Sequence, residues 1–302
     1  MTKSMAIDLE FRMRVRAPRA VVFERLLRIE HLARWFCGWS RIEPKVGGTF
    51  KFGGETCILL PEGAGWETRI EEGEVLRRFA FTWTIRNKAT SVSYELEDAE
   101  DGTTTLWARH QGVPIRESTC GTIQDTWRMC LGNLKSISEG RGDSVRPDHT
   151  PPSSSELKLT ALVEATPELV FGALTNSADV DRWSTGGVPT GGAQIEPRIG
   201  GRVRLGWDGG PNRIFDFQKD RRLGFEWPRS NGDIRLIMDL EEKASGTAVY
   251  LTCGKFHSDD RTGVLRERGR WSDLLVCLKN HVEGGDAGFR NGYDDQVHGE
   301  GS

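Results

Sequence analysis

Apolar residues alternate with polar ones along Phe11-Arg12-Met13-Arg14-Val15-Arg16-Ala17, the period of a strand with one buried face and one wet face. Pro18 follows and opens a helical pattern carried by Val22, Leu26 and Ile29. Gly47-Gly48 marks a tight turn into Thr49-Phe50-Lys51-Phe52. Alternation returns in Phe79, Phe81, Trp83 and Ile85, then in Val92, Tyr94 and Leu96, then in Leu106, Ala108 and His110. Thr122-Ile123-Gln124-Asp125 offers a capping box. Beyond it Ile123, Trp127, Leu131 and Leu134 form one helical stripe.

The whole pattern then repeats. Phe23 and Trp35 recur as Phe171 and Trp183, 148 positions on. Ile42-Glu43-Pro44 with Gly47-Gly48 recurs as Ile195-Glu196-Pro197 with Gly200-Gly201, 153 positions on. Phe81, Trp83, Trp127 and Lys135 recur as Phe225, Trp227, Trp271 and Lys279, 144 positions on. Constant spacing within elements and slippage between them is the mark of two copies of one domain. The predicted domains are 7–139 and 156–283, with a Gly/Pro/Ser-rich linker at 140–155 and a polar tail at 284–302 that frays. Each copy predicts strand, helix pair, a run of antiparallel strands and a long terminal helix. The fold class is α+β: two tandem domains, each a curved antiparallel sheet wrapped around its C-terminal helix.

Composition narrows the function classes. The net charge is −3, and the first 150 residues carry 22 Lys and Arg against 21 Asp and Glu. Neither half has the basic excess that nucleic-acid binding requires. No apolar run is long enough for a membrane span, and the N-terminus lacks a secretion signal, so a cytoplasmic location is expected. The six cysteines form no C-x-x-C pair and share no framework between copies, which suits reduced thiols. No histidines have metal-ligand spacing, and neither metal nor other cofactor is expected. Arg141-Gly142-Asp143 in the linker carries no expected role, and Gly186-Gly187 through Gly191-Gly192 reads as an enlarged loop.

Ten tryptophans supply the first candidate chemistry. Trp83, Trp127, Trp227 and Trp271 recur in both copies, as a shared packing need would demand, and they are also candidate walls of a ligand cavity. Trp35 and Trp183 end the helical segments beside the expected cavity mouth. Phe81, Tyr94, Phe225 and Met238 complete the candidate lining. His110 lies on the inward phase of its strand and is the candidate catalyst, since imidazole titrates near neutrality. Copy two has Cys253 at that position. Either the histidine is a hydrogen-bonded interior residue, or copy one alone is competent. Arg109, Glu55, Glu67 and Glu71 could orient a polar head group.

Taken in order, Ala17-Pro18 with Val22-Phe23, Trp35, Ile-Glu-Pro, Gly-Gly and Phe-x-Trp form a duplicated series. It continues with Gly102-Thr103 ahead of a strand ending in His110-Gln111-Gly112, and closes with the Trp-x-x-x-Leu-x-x-Leu-Lys helix. The series resembles the SRPBCC (START-like, helix-grip) superfamily. Within it, the likeness is to the activator of heat-shock-protein-90 ATPase (Aha-type) family common in bacteria. The resemblance implies a sheet gripping a helix around a cavity for a small hydrophobic or amphipathic molecule. It also implies two alternatives: a polyketide aromatase/cyclase-like enzyme, or a co-chaperone-like module whose partner is a chaperone or a second copy of itself.

Overall fold

The computed structural model describes residues 5–61, 63–99, 101–115, 120–185, 192–205, 212–229, 232–254, 256, 260–285 and 289–291. It divides into two compact units, Met1–His149 with Phe289–Ser302, and Thr150–Gly288. Unit one runs β1 (Met5–Val15), α1 (Arg19–Leu27), α2 (Ile29–Trp35), β2 (Trp39–Ile42), β3 (Thr49–Gly53), β4 (Trp66–Glu74), β5 (Arg78–Ile85), β6 (Lys88–Asp98), β7 (Thr104–Ile115) and α3 (Cys120–Ser138). Unit two repeats the order as β8 (Glu156–Val163), α4 (Pro167–Thr175), α5 (Ser177–Thr185), β9 (Gln194–Ile195), β10 (Arg202–Arg204), β11 (Asn212–Gln218), β12 (Arg222–Trp227), β13 (Ile234–Lys243), β14 (Gly246–Gly254) and α6 (Arg261–Gly284). A short β15 (Phe289–Asn291) follows. The sheets are antiparallel, ordered β15-β1-β7-β6-β5-β4-β3-β2 and β8-β14-β13-β12-β11-β10-β9. This is the helix-grip α+β architecture in duplicate.

Matching registers confirm the internal alignment. Phe11 pairs with Ala108 as Leu159 pairs with Leu251, and Val92 pairs with His110 as Leu236 pairs with Cys253. The same irregularity interrupts β4–β5 between Ile70 and Glu72 and β11–β12 between Ile214 and Asp216. A bulge bends and twists its strand, so each sheet curves at an equivalent place. The recurring Gly-Gly has a steric origin. Gly47 and Gly200 sit at φ 78° and 75°. A Cβ on Gly48 or Gly201 would lie 2.3 Å from Glu43 O or 2.1 Å from Glu196 O. The glutamate of Ile-Glu-Pro thus passes too close for any side chain.

Some local expectations shift. Helix α3 begins at Cys120, so Thr122 lies within its first turn rather than capping it. Pro18 occupies the N-cap of α1, whereas Pro167 is the first residue of α4. The C-terminal tail supplies β15, paired antiparallel with edge strand β1, whose unpaired backbone groups can accept a further strand. The glycine-rich stretch 186–191 and residues 292–302 lie outside the described residues. Segment 140–149 is irregular yet fastened to unit one. Asn133 bonds both Ser144 N and Val145 O, and Arg146 Nη2 donates to Cys37 O at 2.6 Å and Thr56 Oγ1 at 2.8 Å. Within the Arg-Gly-Asp tripeptide Arg141 pairs with Glu139, and Asp143 pairs with Arg34 at 2.7 Å.

The two long helices are clamped by one device. Lys135 Nζ, buried in the last turn of α3, donates to Arg14 O on β1 at 2.5 Å and to Glu139 at 2.7 Å. Glu139 also accepts from Arg16 N at 2.9 Å. Burial pushes the Glu139 carboxyl up, but Lys135, Arg16 N–H and Arg141 together hold it below its ordinary value. In unit two Lys279 Nζ bonds Leu162 O at 3.3 Å and Glu283 at 2.5 Å, and Glu283 accepts from Glu164 N at 2.7 Å. Removing one member of a buried pair strands the other charge. Lys279→Met is therefore expected to destabilise unit two by about 3 kcal/mol. Lys279→Met with Glu283→Leu should recover most of that loss, measured by urea unfolding.

Candidate functional site

The first interior is built of rings. Phe36, at the end of α2, lies 4.9 Å from Phe52, 5.9 Å from Phe50, 6.3 Å from Phe81 and 6.3 Å from Trp127. Tyr94 faces Phe79 at 6.2 Å and Trp35 at 6.1 Å. All of these side chains are buried. Ring pairs at such spacings, whether offset-stacked, tilted or edge-to-face, gain more than their buried area alone.

His110 joins this cluster through Trp83 and Trp127. Its ring stacks on Trp83, 5.2 Å between centroids, and meets Trp127 edge-on at 5.6 Å. Trp127 Nε1 donates to His110 Nδ1 at 3.1 Å. Thr90 Oγ1 donates to Trp83 O at 2.6 Å, so the 2.9 Å contact between Thr90 Oγ1 and His110 Nε2 runs from the imidazole N–H to the hydroxyl. Both ring nitrogens are thereby satisfied in one neutral tautomer. Trp83 Nε1 and Tyr94 Oη have no hydrogen-bond partner.

Trp35 and Trp183 are buried pins. Trp35 Nε1 donates to Arg25 O and Trp183 Nε1 to Ala173 O, each at 2.9 Å. Each indole thus ties the second helix of its pair to the first. The suggested head-group residues lie elsewhere. Arg109 bonds Glu10 at 2.6 Å and Glu95 at 3.0 Å and lies against Trp107, on the strand face opposite His110. Glu67 pairs with Lys51 at 2.9 Å, and Glu55 and Glu71 are exposed.

Unit two keeps the frame and changes its contents. Phe36, Phe50, Phe52, Phe79 and Tyr94 correspond to Ser184, Val203, Leu205, Leu223 and Met238, all buried. Phe11 corresponds to Leu159, which is only half buried. Ala108 to Leu251, Val92 to Leu236 and Cys130 to Leu274 run the other way, without replacing the lost rings. Phe225, Trp227 and Trp271 remain, with Trp227 and Trp271 5.0 Å apart.

Charge enters the same interior. Ile85 and Ile123 of copy one become Arg229 and Glu267, and Thr126 becomes Arg270. Glu267 is 2% exposed. Arg270 Nη1 reaches its carboxylate at 3.0 and 3.2 Å, and Arg229 Nε lies 3.8 Å from it. Arg229 Nη2 bonds Asp260 at 2.7 Å, while Asp260 caps α6 by accepting from Gly263 N at 2.9 Å. Arg270 lies over Trp227 and Arg229 over Phe256. Burial is the main cause pushing the Cys253 thiol up, followed by Glu267, with Arg229 and Arg270 opposing. Glu267, Arg229 and Arg270 thus act on the position that His110 holds in copy one, with Asp260 holding Arg229 from the helix cap. The readable signal was a glutamate four residues before Trp271, on the apolar stripe of α6.

A separate cleft of about 500 Å³ opens in unit two over Phe171 and Phe217, with Lys219 and Asp220 at its rim. Copy one has Leu27 and Leu76 where copy two has Thr175 and Asp220, which accounts for the opening. Among the described residues no cluster of His, Cys, Asp and Glu could hold a metal ion, and no helix is long and apolar enough to cross a membrane.

Burial drives the His110 imidazole from its ordinary 6.5 down to about 3. The unfolded chain takes up a proton near 6.5 that the folded protein refuses until about 3. Stability is therefore lost as pH falls through that window, by about 1.4 kcal/mol per pH unit from this residue. Urea unfolding between pH 6.5 and 4 should show a shallower loss in His110→Gln than in the parent protein. Parallel slopes would contradict the assignment.

Among solved structures, DynU16, a putative protein in the dynemicin biosynthetic locus, is 15% identical over 91% of this chain and 98% of its own, with a TM-score of 0.38. Aha1 from Colwellia psychrerythraea, solved as a dimer, is 18% identical over 44% of this chain and 96% of its own, TM-score 0.38. PFC0360w, an HSP90 activator from Plasmodium falciparum, is 18% identical over 43% and 95%, TM-score 0.36. No match was found among curated proteins. The family model described as activator of Hsp90 ATPase homolog 1-like protein matches residues 16–139 and again 164–283. With both copies matched, the chain belongs to the activator of Hsp90 ATPase homolog 1-like family.

Proposed function

We propose that the chain binds a small hydrophobic or amphipathic molecule between sheet and helix, and that the second copy is the one that holds it. The supporting observation is the exchange of rings for smaller side chains at Ser184, Val203, Leu205, Leu223 and Met238 within an unchanged frame. A dense interior tolerates little lost volume unless something else fills it. Buried charges beside apolar walls add the few polar groups that orient a ligand. In copy one His110 serves as filling of a ring cluster rather than as an acid or base, since both its nitrogens are engaged by neighbours and burial keeps it neutral.

Refilling copy two tests this. The full chain carrying Val203→Phe, Leu223→Phe and Met238→Tyr should lose more than tenfold in affinity for N-phenyl-1-naphthylamine, followed by its fluorescence, while unfolding cooperatively. Undiminished binding in the refilled chain would overturn the assignment to copy two.

A second reading, docking to a chaperone, is favoured by one observation. Val46 and Ile199 stand at equivalent turns and are 63% and 67% exposed. A recurring exposed apolar tip suits a protein contact better than solvent does. On this reading the full chain is retained by an immobilised Hsp90-type chaperone, and Val46→Asp with Ile199→Asp abolishes retention. Equal retention of the variant would remove the reading's support.

A further inference from the structure

The indole of Trp127 has an acceptor, His110 Nδ1, at 3.1 Å. Its counterpart in copy two does not. Trp271 is 1% exposed, and its Nε1 has no hydrogen-bond partner. The cause lies across the interior on β14, where Cys253 replaces the histidine. Thr90, which anchors that histidine, is likewise replaced by the apolar Ile234. A buried donor left without a partner costs free energy that an incoming acceptor would return.

The nearby charges narrow the choice of acceptor. Among the described residues, Arg229 and Arg270 are matched by Asp260 and Glu267, so this group of four offers no net positive charge to an anion. A carboxylate brought beside Glu267 would meet a like charge in a poorly screened site. A neutral oxygen meets no such penalty. The apolar groups beside it are aromatic: Trp227 meets Trp271 edge-to-face at 5.0 Å, and Phe225 lies tilted at 6.3 Å.

We propose that the second copy recognises a neutral, flat, largely apolar carbonyl compound whose oxygen accepts a hydrogen bond from Trp271 Nε1. This rests on copy two being the binding domain and specifies what it selects. Copy one is closed to the same ligand because His110 already occupies the acceptor's place.

Three probes with one naphthalene body separate the possibilities. 2-Acetylnaphthalene carries a neutral carbonyl, 2-ethylnaphthalene none, and 2-naphthoate an anion. Each is used to displace N-phenyl-1-naphthylamine from the full chain. The ketone should displace it at about tenfold lower concentration than the hydrocarbon, the span of one recovered hydrogen bond, with naphthoate weakest. Trp271→Phe should erase the ketone's advantage. So should Cys253→His with Ile234→Thr, which rebuilds copy one's internal acceptor without removing the indole. Equal displacement by ketone and hydrocarbon would overturn the proposal while leaving copy two as a binding domain. Preference for naphthoate would overturn it in favour of an anion site. Failure of the fluorophore to bind at all would overturn both.

Discussion

A buried lysine at the end of each long helix, reaching across to a backbone carbonyl of the first strand and to a glutamate one turn on, fixes where that helix lies on its sheet. Lys135 with Glu139 and Lys279 with Glu283 do this with the same partners at equivalent positions. Such a pair is costly to bury and tolerates little displacement, because either charge alone would be stranded. Both interiors are therefore framed alike, with the same bulge, the same glycine turn and the same tryptophan pin between the paired helices. What differs between the copies is what fills the frame.

In copy one the filling is a continuous cluster of rings keyed by a neutral imidazole that stacks on one indole and accepts from another. In copy two several rings give way to aliphatic side chains, the imidazole gives way to a thiol, and a balanced group of four charges enters beside two indoles. A duplicated domain allows this division. One copy can keep a ring-packed interior while the other trades ring packing for buried charge, a local cost of the kind proteins accept where a site is specialised.

The frame was legible in the sequence because it rests on periodicity and on steric necessity. Gly48 and Gly201 had to be glycine wherever Ile-Glu-Pro passed so close, and alternating strands exposed the register. The recurrence of Lys135 as Lys279 was visible too, but not its meaning, since a lysine near a helix end ordinarily faces water. The mismatch of His110 with Cys253 was visible, whereas its consequence for Trp271 required knowing that Trp127 donates across the interior. Arg229 and Glu267 belong to no motif or repeat that the sequence displays. They become informative only once each is set against the buried isoleucine it replaces, Ile85 or Ile123. The fastening of segment 140–149 was illegible for another reason. It depends on Asn133 and Arg146 reaching irregular backbone, and such contacts leave no period.

The contrast between the two interiors can be observed directly at the indole protons. With tryptophan labelled by ¹⁵N, the Trp127 indole proton should exchange with water slowly and keep its chemical shift when 2-acetylnaphthalene is added. The Trp271 proton should exchange faster in the free protein, then shift downfield and become protected as the ketone binds. If both protons are equally protected beforehand and neither moves on addition, the two copies are equally closed and the division between them fails.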